Sequence, residues 1–135
     1  MSEVARRPVL IIDDDEDVSA LLEALVATSD GYCVASVTSD PEDGLAAAGI
    51  LQPEIAVVGA HRDSFVAVDV VARLRDQSAD LCIVLLADLA DPITLLDALA
   101  SGANTVLSSG SGWAELLPAL DLLVDGGGKG RDLVA

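Results

Sequence analysis

The amino-acid sequence predicts an α/β fold in which helices cover both faces of a parallel sheet. Short apolar runs, often β-branched, alternate along the chain with longer segments whose apolar residues keep helical spacing. Such alternation is typical of βα units joined by right-handed crossovers. Apolar residues form 52% of the 135-residue chain but aromatic residues only 2%. We therefore expect one domain with a core of Val, Leu, Ile and Ala.

Each predicted element has a local signal in the sequence. The first strand is an uninterrupted apolar run, and the helix after it keeps helical spacing until Gly31. Two later helices begin at Asp-Pro pairs, because Asp caps a helix and Pro suits its first position. The predicted strands are 9–12, 32–37, 55–58, 81–86 and 105–107. The predicted helices are 17–29, 41–48, 64–75, 92–101 and 113–124.

Helical spacing also predicts which residues face the sheet. In the third helix these are Val66, Val70, Val71 and Leu74. In the fifth helix Pro118 falls at an interior position, where proline costs about 3 kcal/mol. We expect that helix either to be kinked at Pro118 or to begin only around residue 117.

Charge and cysteine usage exclude several classes of protein. The chain has 23 acidic and 7 basic residues, a net charge of −16, without a cluster of Lys and Arg that could bind a phosphate backbone. We expect no direct contact with nucleic acid. No apolar run reaches the ~18 residues of a membrane span, and no signal-peptide pattern is visible. Cys33 and Cys82 lie in apolar runs without CxxC spacing, which predicts small core residues in a reduced, cytoplasmic protein.

Residues 9–17, VLIIDDDED, combine a buried strand with five consecutive acids. The strand delivers Asp13 and Asp14 to the carboxyl edge of the sheet, where open α/β sheets bind ligands. One interpretation is a divalent cation, since Mg²⁺ prefers hard oxygen ligands. The other is that one Asp caps the next helix and the remaining acids are solvated. This stretch by itself leaves both open.

Five landmarks resemble the receiver domain of bacterial two-component response regulators. They are VLIIDDDEDV, QPEIAVVG at 52–59, the Leu-Arg pair at 74–75, LCIVLLA, and ALASGANTVL at 98–107. The resemblance implies a flavodoxin-like (CheY-like), doubly wound (βα)5 three-layer sandwich with strand order 2-1-3-4-5. We expect this domain at 8–125, after an N-terminal arm at 1–7. Residues 126–135 would be a flexible Gly-rich tail or a linker to an output domain.

The same resemblance locates the chemistry of the family, and there the sequence departs from it. Asp13 and Asp14 match the acidic pair that holds Mg²⁺. Gly59 stands where the family has its phosphorylated Asp, Leu86 where it has Thr or Ser, and Ser109 where it has Lys. We expect no catalytic residues, no enzyme activity, no aspartyl phosphate, no cofactor, and at most weak Mg²⁺ binding by the acidic pair.

A receiver without a phosphorylation site could still bind proteins. In the family, the fourth helix, fifth strand and fifth helix dock partners or a second receiver. Helical spacing turns Leu95, Ala98 and Leu99 toward the sheet. The predicted contact residues are Ile93, Leu96, Ala100, Val106 and Trp113. We expect a phosphorylation-independent pseudo-receiver that forms a homodimer or controls an attached or separate output domain.

Two other hypotheses remain open at this point. In the first, Gly59 and Ala60 enlarge the acidic rim, and a small molecule carrying an amine or a metal binds Asp13 and Asp14. In the second, the chain is a conventional phospho-receiver with an unusual acceptor such as Asp63, which requires most functional roles to be reassigned.

Overall fold

The computed structural model describes residues 6–60, 64–87, 92–108 and 113–125, and these form five strands and five helices in alternation. The strands are β1 (Arg7–Ile12), β2 (Tyr32–Thr38), β3 (Ile55–Ala60), β4 (Cys82–Ala87) and β5 (Thr105–Ser108). The helices are α1 (Glu16–Ala27), α2 (Pro41–Leu51), α3 (Ser64–Gln77), α4 (Pro92–Ser101) and α5 (Trp113–Asp125). Since β1 begins at Arg7, the strand takes in the last residue of the predicted N-terminal arm. The predicted tail at 126–135 lies outside the described residues.

The strands form one parallel sheet in the order β2-β1-β3-β4-β5. This confirms the predicted fold class and strand order, which is the flavodoxin-like arrangement. Alternate residues of each strand enter different cores, because successive side chains point to opposite faces. In β3, for example, Ala56 and Val58 join the core under α2, α3 and α4. Ile55 and Val57 join the core under α1 and α5.

Two predicted faces need correction. In α3, Val66 is 44% exposed, while Ala67 is buried at 4%. In α4, Leu99 is 43% exposed, while Thr94 is buried at 8% beside Ala98. Both errors have one cause: the inward stripe of a helix is only about 100° wide. Helical spacing therefore admits two neighbouring choices, and here Ala67 and Thr94 take the inward positions.

Helix α2 is longer than predicted, and the start of helix α5 decides between two predictions. Helix α2 continues past position 48 to Leu51 and ends at Gln52, which adopts a left-handed conformation (φ 50°) and donates its N–H to the Ala48 carbonyl. Pro53 then prevents continuation. Helix α5 begins at Trp113, so the later start near residue 117 is wrong. Pro118 is exposed, and the fully buried Leu116 and Leu120 on either side anchor the helix across it. The kink at Pro118 stays a prediction.

Both cysteines are free thiols and are only partly buried, less than the sequence predicts. Cys82 packs against the core under α1 and α5, and burial raises the pKa of its thiol to about 11, against a smaller opposing effect of Arg75. Within the described residues, no helix is both long and apolar enough to cross a membrane.

The raised pKa of Cys82 predicts slow alkylation. At pH 8 the Cys82 thiolate should be about a hundredfold rarer than that of an unburied thiol, so iodoacetamide should modify Cys33 first. The folded state should also lose stability as the pH rises from about 9 to about 11, because only the unfolded thiol ionises in that window. Mass spectrometry of a labelling time course measures the first effect, with urea-unfolded protein as the control. Equal labelling rates in the folded protein would contradict the prediction.

Candidate functional site

The ends of three adjacent strands bring the family's site positions together at the carboxyl edge of the sheet. In the β1–β3 pair Ile12 lies opposite Val58. Asp13 and Gly59 are the next residues along these two strands, so they lie side by side. In the β3–β4 pair Gly59 lies opposite Leu86. Positions that are far apart in the sequence therefore line one short stretch of this edge.

Asp13 is held rigidly at this edge. Its side chain is almost fully buried, with 1% of the residue exposed. Its Oδ1 accepts a hydrogen bond from the Asp15 N–H at 2.8 Å. Its own N–H donates to the Thr38 carbonyl at 3.0 Å, and the Ser19 hydroxyl donates to its carbonyl at 3.3 Å. These bonds tie the turn after β1 to both β2 and α1.

The acids after Asp13 divide into a cap and a half-buried carboxylate. The Asp15 side chain caps α1 by accepting from the N–H groups of Asp17 at 2.9 Å and Val18 at 3.3 Å, which confirms the helix-cap interpretation for one Asp. Asp14 is half-buried, and its buried Oδ1 has no hydrogen-bond partner among the described residues. Because an unpaired buried oxygen is costly, Asp14 Oδ1 is the atom of this edge best suited to a cation or a water.

Leu86, near the end of β4, is a core residue. It is fully buried and packs in the cluster that Leu22, Leu116 and Leu120 form under α1 and α5. Gly59 beside it has no side chain and supplies no carboxylate. At β3 and β4, the next two strands after β1, position 59 thus has no side chain and position 86 has an apolar one. Ser109 lies outside the described residues.

Solved structures of response-regulator receiver domains share this architecture. A two-component response regulator of the LuxR family from Aurantimonas sp. SI85-9A1 matches with a TM-score of 0.81 and 19% identity, over 90% of this chain and 87% of that one. A CheY-like receiver domain protein from Methanospirillum hungatei JF-1 matches with a TM-score of 0.81 and 16% identity, over 90% and 96%. The chain has the receiver fold. The response regulator domain of Thermotoga maritima CheB is also similar, with a TM-score of 0.76 and 15% identity over 95% of this chain and 99% of that one.

Sequence comparison adds no family to this likeness in fold. No protein-family model matches the chain, and no curated protein matches it.

The receiver fold implies a Mg²⁺ ion at the carboxyl edge, and the residues here do not fit a site of three carboxylates. Gly59 contributes no ligand, and Asp13 already accepts a hydrogen bond from the backbone. Among the described residues, no group of three or more His, Cys, Asp or Glu side chains could hold a metal ion. Since Mg²⁺ requires near-octahedral oxygen coordination, the acidic pair by itself leaves most of the coordination to water.

The predicted contact surface lies around β5, the outermost strand on one side of the sheet. Ile93 and Leu96 of α4 are 67% and 64% exposed, and Ala100 is exposed as well. Val106 pairs with Leu85 and is partly buried against the core under α4. Trp113 begins α5, and its side chain lies outside the described residues. We name this surface, formed by α4, β5 and α5, the output face.

Sequence reasoning missed the role of Arg75 at the end of α3. Its guanidinium donates to the carbonyls of Ser78, Ala79 and Gly102 and to Asn104 Oδ1, at 2.8–3.2 Å. Asn104 Oδ1 also accepts from the Ile83 N–H at 2.8 Å. Burial lowers the pKa of Arg75, and the nearby Cys82 and Asp80 oppose that decrease. Arg75 thus joins the loops that precede β4 and β5, and the Leu-Arg landmark was its only signal in the sequence.

A cleft of about 480 Å³ lies at the opposite edge of the sheet, where the strands begin. It is lined by residues at the carboxyl ends of α2 and α3 and by Pro53 and Leu81, which precede β3 and β4. Parallel strands place this edge away from Asp13 and Asp14, so the cleft is separate from the acidic rim on which the small-molecule hypothesis depends.

Proposed function

We propose that this chain is a phosphorylation-independent pseudo-receiver, a cytoplasmic, non-enzymatic signalling module that acts through protein contacts in the control of transcription or another response. One observation carries the proposal: fully buried Leu86 lies opposite Gly59 in the sheet. The phosphoacceptor and the hydroxyl that reports its phosphorylation occupy these two positions in the family. Here neither side chain can be phosphorylated or donate a hydrogen bond to a phosphoryl group.

The output face is the proposed contact surface. Ile93 and Leu96 expose most of their side chains, and aliphatic residues exposed together on one helix are typical of interfaces. Single exposed apolar residues are also common on monomers, so exposure by itself does not distinguish an interface. Its support here is the place of the surface, which is where receivers dock their partners. A second copy of the chain and an output domain both satisfy this proposal.

The amide NMR spectrum of the full chain tests phosphorylation independence. Spectra are recorded with and without Mg²⁺ and beryllium fluoride, a mimic of the phosphoryl group. We expect no shifts beyond those caused by Mg²⁺ near Asp13 and Asp14. The Gly59→Asp variant is the matched control, because it adds the missing carboxylate beside Asp13 and should tighten Mg²⁺ binding.

A different result would overturn the proposal. Beryllium-fluoride shifts in the unmodified chain at Asp13, Gly59 and Leu86 that spread to Val106 would mean that a phosphoryl mimic binds and that the switch still works.

Asp14 Oδ1, which has no hydrogen-bond partner among the described residues, favours a second candidate, a sensor that binds a small cation at the acidic rim. Asp13 and Asp14 would hold an amine or a weakly bound Mg²⁺ ion, with Gly59 leaving space beside them. Thermal unfolding with Mg²⁺ and with putrescine measures this binding. An increase in Tm that the Asp14→Asn variant loses supports the sensor, and an unchanged Tm with both compounds excludes it for these two cations.

A further inference from the structure

The charge of the output face selects the kind of partner that it can bind. We infer that this face binds an amphipathic segment whose apolar residues are flanked by Lys or Arg, and that it does not bind a second copy of this chain. The inference rests on the proposed function.

The segment that builds the output face contains no cationic residue. From Asp76 to Gly128 the sequence has no Lys, Arg or His. The acidic residues Asp97 of α4 and Glu115 of α5 are both exposed. Strand β5 has no charged residue. The charges on α4, β5 and α5 are therefore all negative, and they lie beside exposed apolar residues.

Three of the four arginines in the described fold have partners elsewhere, and the fourth, Arg6, directly precedes β1. Arg7 pairs with Glu54 at 2.8 Å. Arg73 pairs with Glu42 at 2.8 Å and with Asp69 at 3.6 Å on α2 and α3. Arg75 is directed at backbone carbonyls and Asn104. None of these side chains is on α4, β5 or α5.

A homodimer through this face would have no ionic complement among the residues that the structure describes. In a two-fold symmetric contact the same surface meets itself, so each exposed acid on α4 or α5 of one copy would find no cation on these elements of the other. Like charges brought together at an interface disfavour association. A basic partner is attracted by the same charges, which increases both its association rate and its affinity.

The apolar residues of the face are arranged for a helical partner. On α4, Ile93 and Leu96 are three positions apart, and Asp97 is four positions after Ile93, so all three lie on neighbouring parts of one surface.

On α5, Asp121 accepts a hydrogen bond from Tyr32 of the far strand β2 at 2.6 Å, which directs that side of the helix toward β2.

Leu122 and Glu115 lie on a different side of α5 from Asp121. They are seven positions apart and so share one side of the helix. Leu122 is 74% exposed. Each helix of the output face thus presents a large exposed aliphatic residue and an exposed acid, which suits a segment with apolar residues at helical spacing and flanking cations.

The binding of two synthetic peptides to the full chain tests this inference. The first is an amphipathic helix of about 18 residues with Leu at i, i+3, i+4 and i+7 and Lys on both flanks. The second has Glu in place of each Lys. Fluorescence anisotropy should detect binding of the Lys peptide only. Leu96→Ser should weaken that binding by about tenfold, because a central apolar contact is lost.

Matched variants separate the output face from the general charge of the protein. Glu115→Gln on the face should weaken binding of the Lys peptide by about threefold and reduce the salt dependence of that binding. Glu23→Gln removes an acid from α1 that is also exposed and should leave binding unchanged. Phe65→Ser, at a residue 81% exposed on α3, is the corresponding apolar control.

Three results would overturn the inference. They are equal weakening by Glu23→Gln and Glu115→Gln, failure of the Lys peptide to bind, and a dimer in sedimentation velocity that Leu96→Ser dissociates. A dimer of that kind would leave the proposed pseudo-receiver intact with a different partner. The beryllium-fluoride spectra test phosphorylation independence separately, so failure of one conclusion is distinguishable from failure of the other.

Discussion

Replacing Arg75 with alanine should lower the free energy of unfolding by about 2–4 kcal/mol. The guanidinium is the shared donor for three backbone carbonyls and Asn104 Oδ1, in the loops that lead into β4 and β5. Hydrogen bonds to charged groups contribute about 1.5–3 kcal/mol each, and partial exposure of Arg75 reduces their sum. Urea unfolding monitored by far-UV circular dichroism measures the loss.

Arg73→Ala is the matched control for this prediction. Arg73 lies two residues earlier in the same helix, but its ion pairs with Glu42 and Asp69 are exposed. The pKa of Glu42 is lowered by the hydrogen bond and the charge of Arg73, yet exposed pairs contribute little to stability. We expect a urea midpoint close to that of the unmodified protein. Equal midpoints for Arg73→Ala and Arg75→Ala would mean that Arg75 does not join these loops.

Leu86→Thr should lower the free energy of unfolding by about 2–4 kcal/mol without creating a response to a phosphoryl mimic. The substitution introduces the hydroxyl that the family has at this position. Here, however, the side chain is fully buried among Leu22, Leu116 and Leu120. The loss combines removed apolar volume with a hydroxyl in an apolar cluster.

Leu86→Met tests whether the loss arises from packing. Methionine conserves the volume and the apolar character of the side chain, so we expect a cost below about 1.5 kcal/mol. Beryllium fluoride should leave the spectra of both variants unchanged, since Gly59 still supplies no carboxylate. A stable Leu86→Thr protein would show that position 86 is not part of the core.

Much of the fold could be predicted from local sequence. Short, mostly apolar runs indicated all five strands, and Asp40 indeed caps α2, with its side chain accepting from the Glu42 N–H. The predictions were less accurate where two choices satisfied the same helical spacing. Val66 and Leu99 were assigned inward, but Ala67 and Thr94 are buried instead. Helical spacing locates the buried stripe of a helix only to within one residue position around the helix axis.

The candidate site was predictable in its positions but not in its surroundings. The landmarks placed Asp13, Gly59 and Leu86 at strand ends, and strand register brings them to one edge. No local pattern indicated that Asp15 caps α1 while Asp14 keeps a buried oxygen that has no partner in the described part of the chain. That difference depends on which carboxylate faces the first turn of α1, a consequence of the direction in which the chain leaves β1.

The sequence by itself determined the order of the elements, the strongly negative charge and the lack of a carboxylate at position 59, because these depend on residue type and local spacing. Only the tertiary structure decided what lies beside what. It placed Leu86 opposite Gly59, connected Arg75 to Asn104 across 29 residues and linked Tyr32 to Asp121 across 89. Such contacts arise from strand order and helix packing, which bring distant segments together by burying apolar surface that no single segment can bury alone.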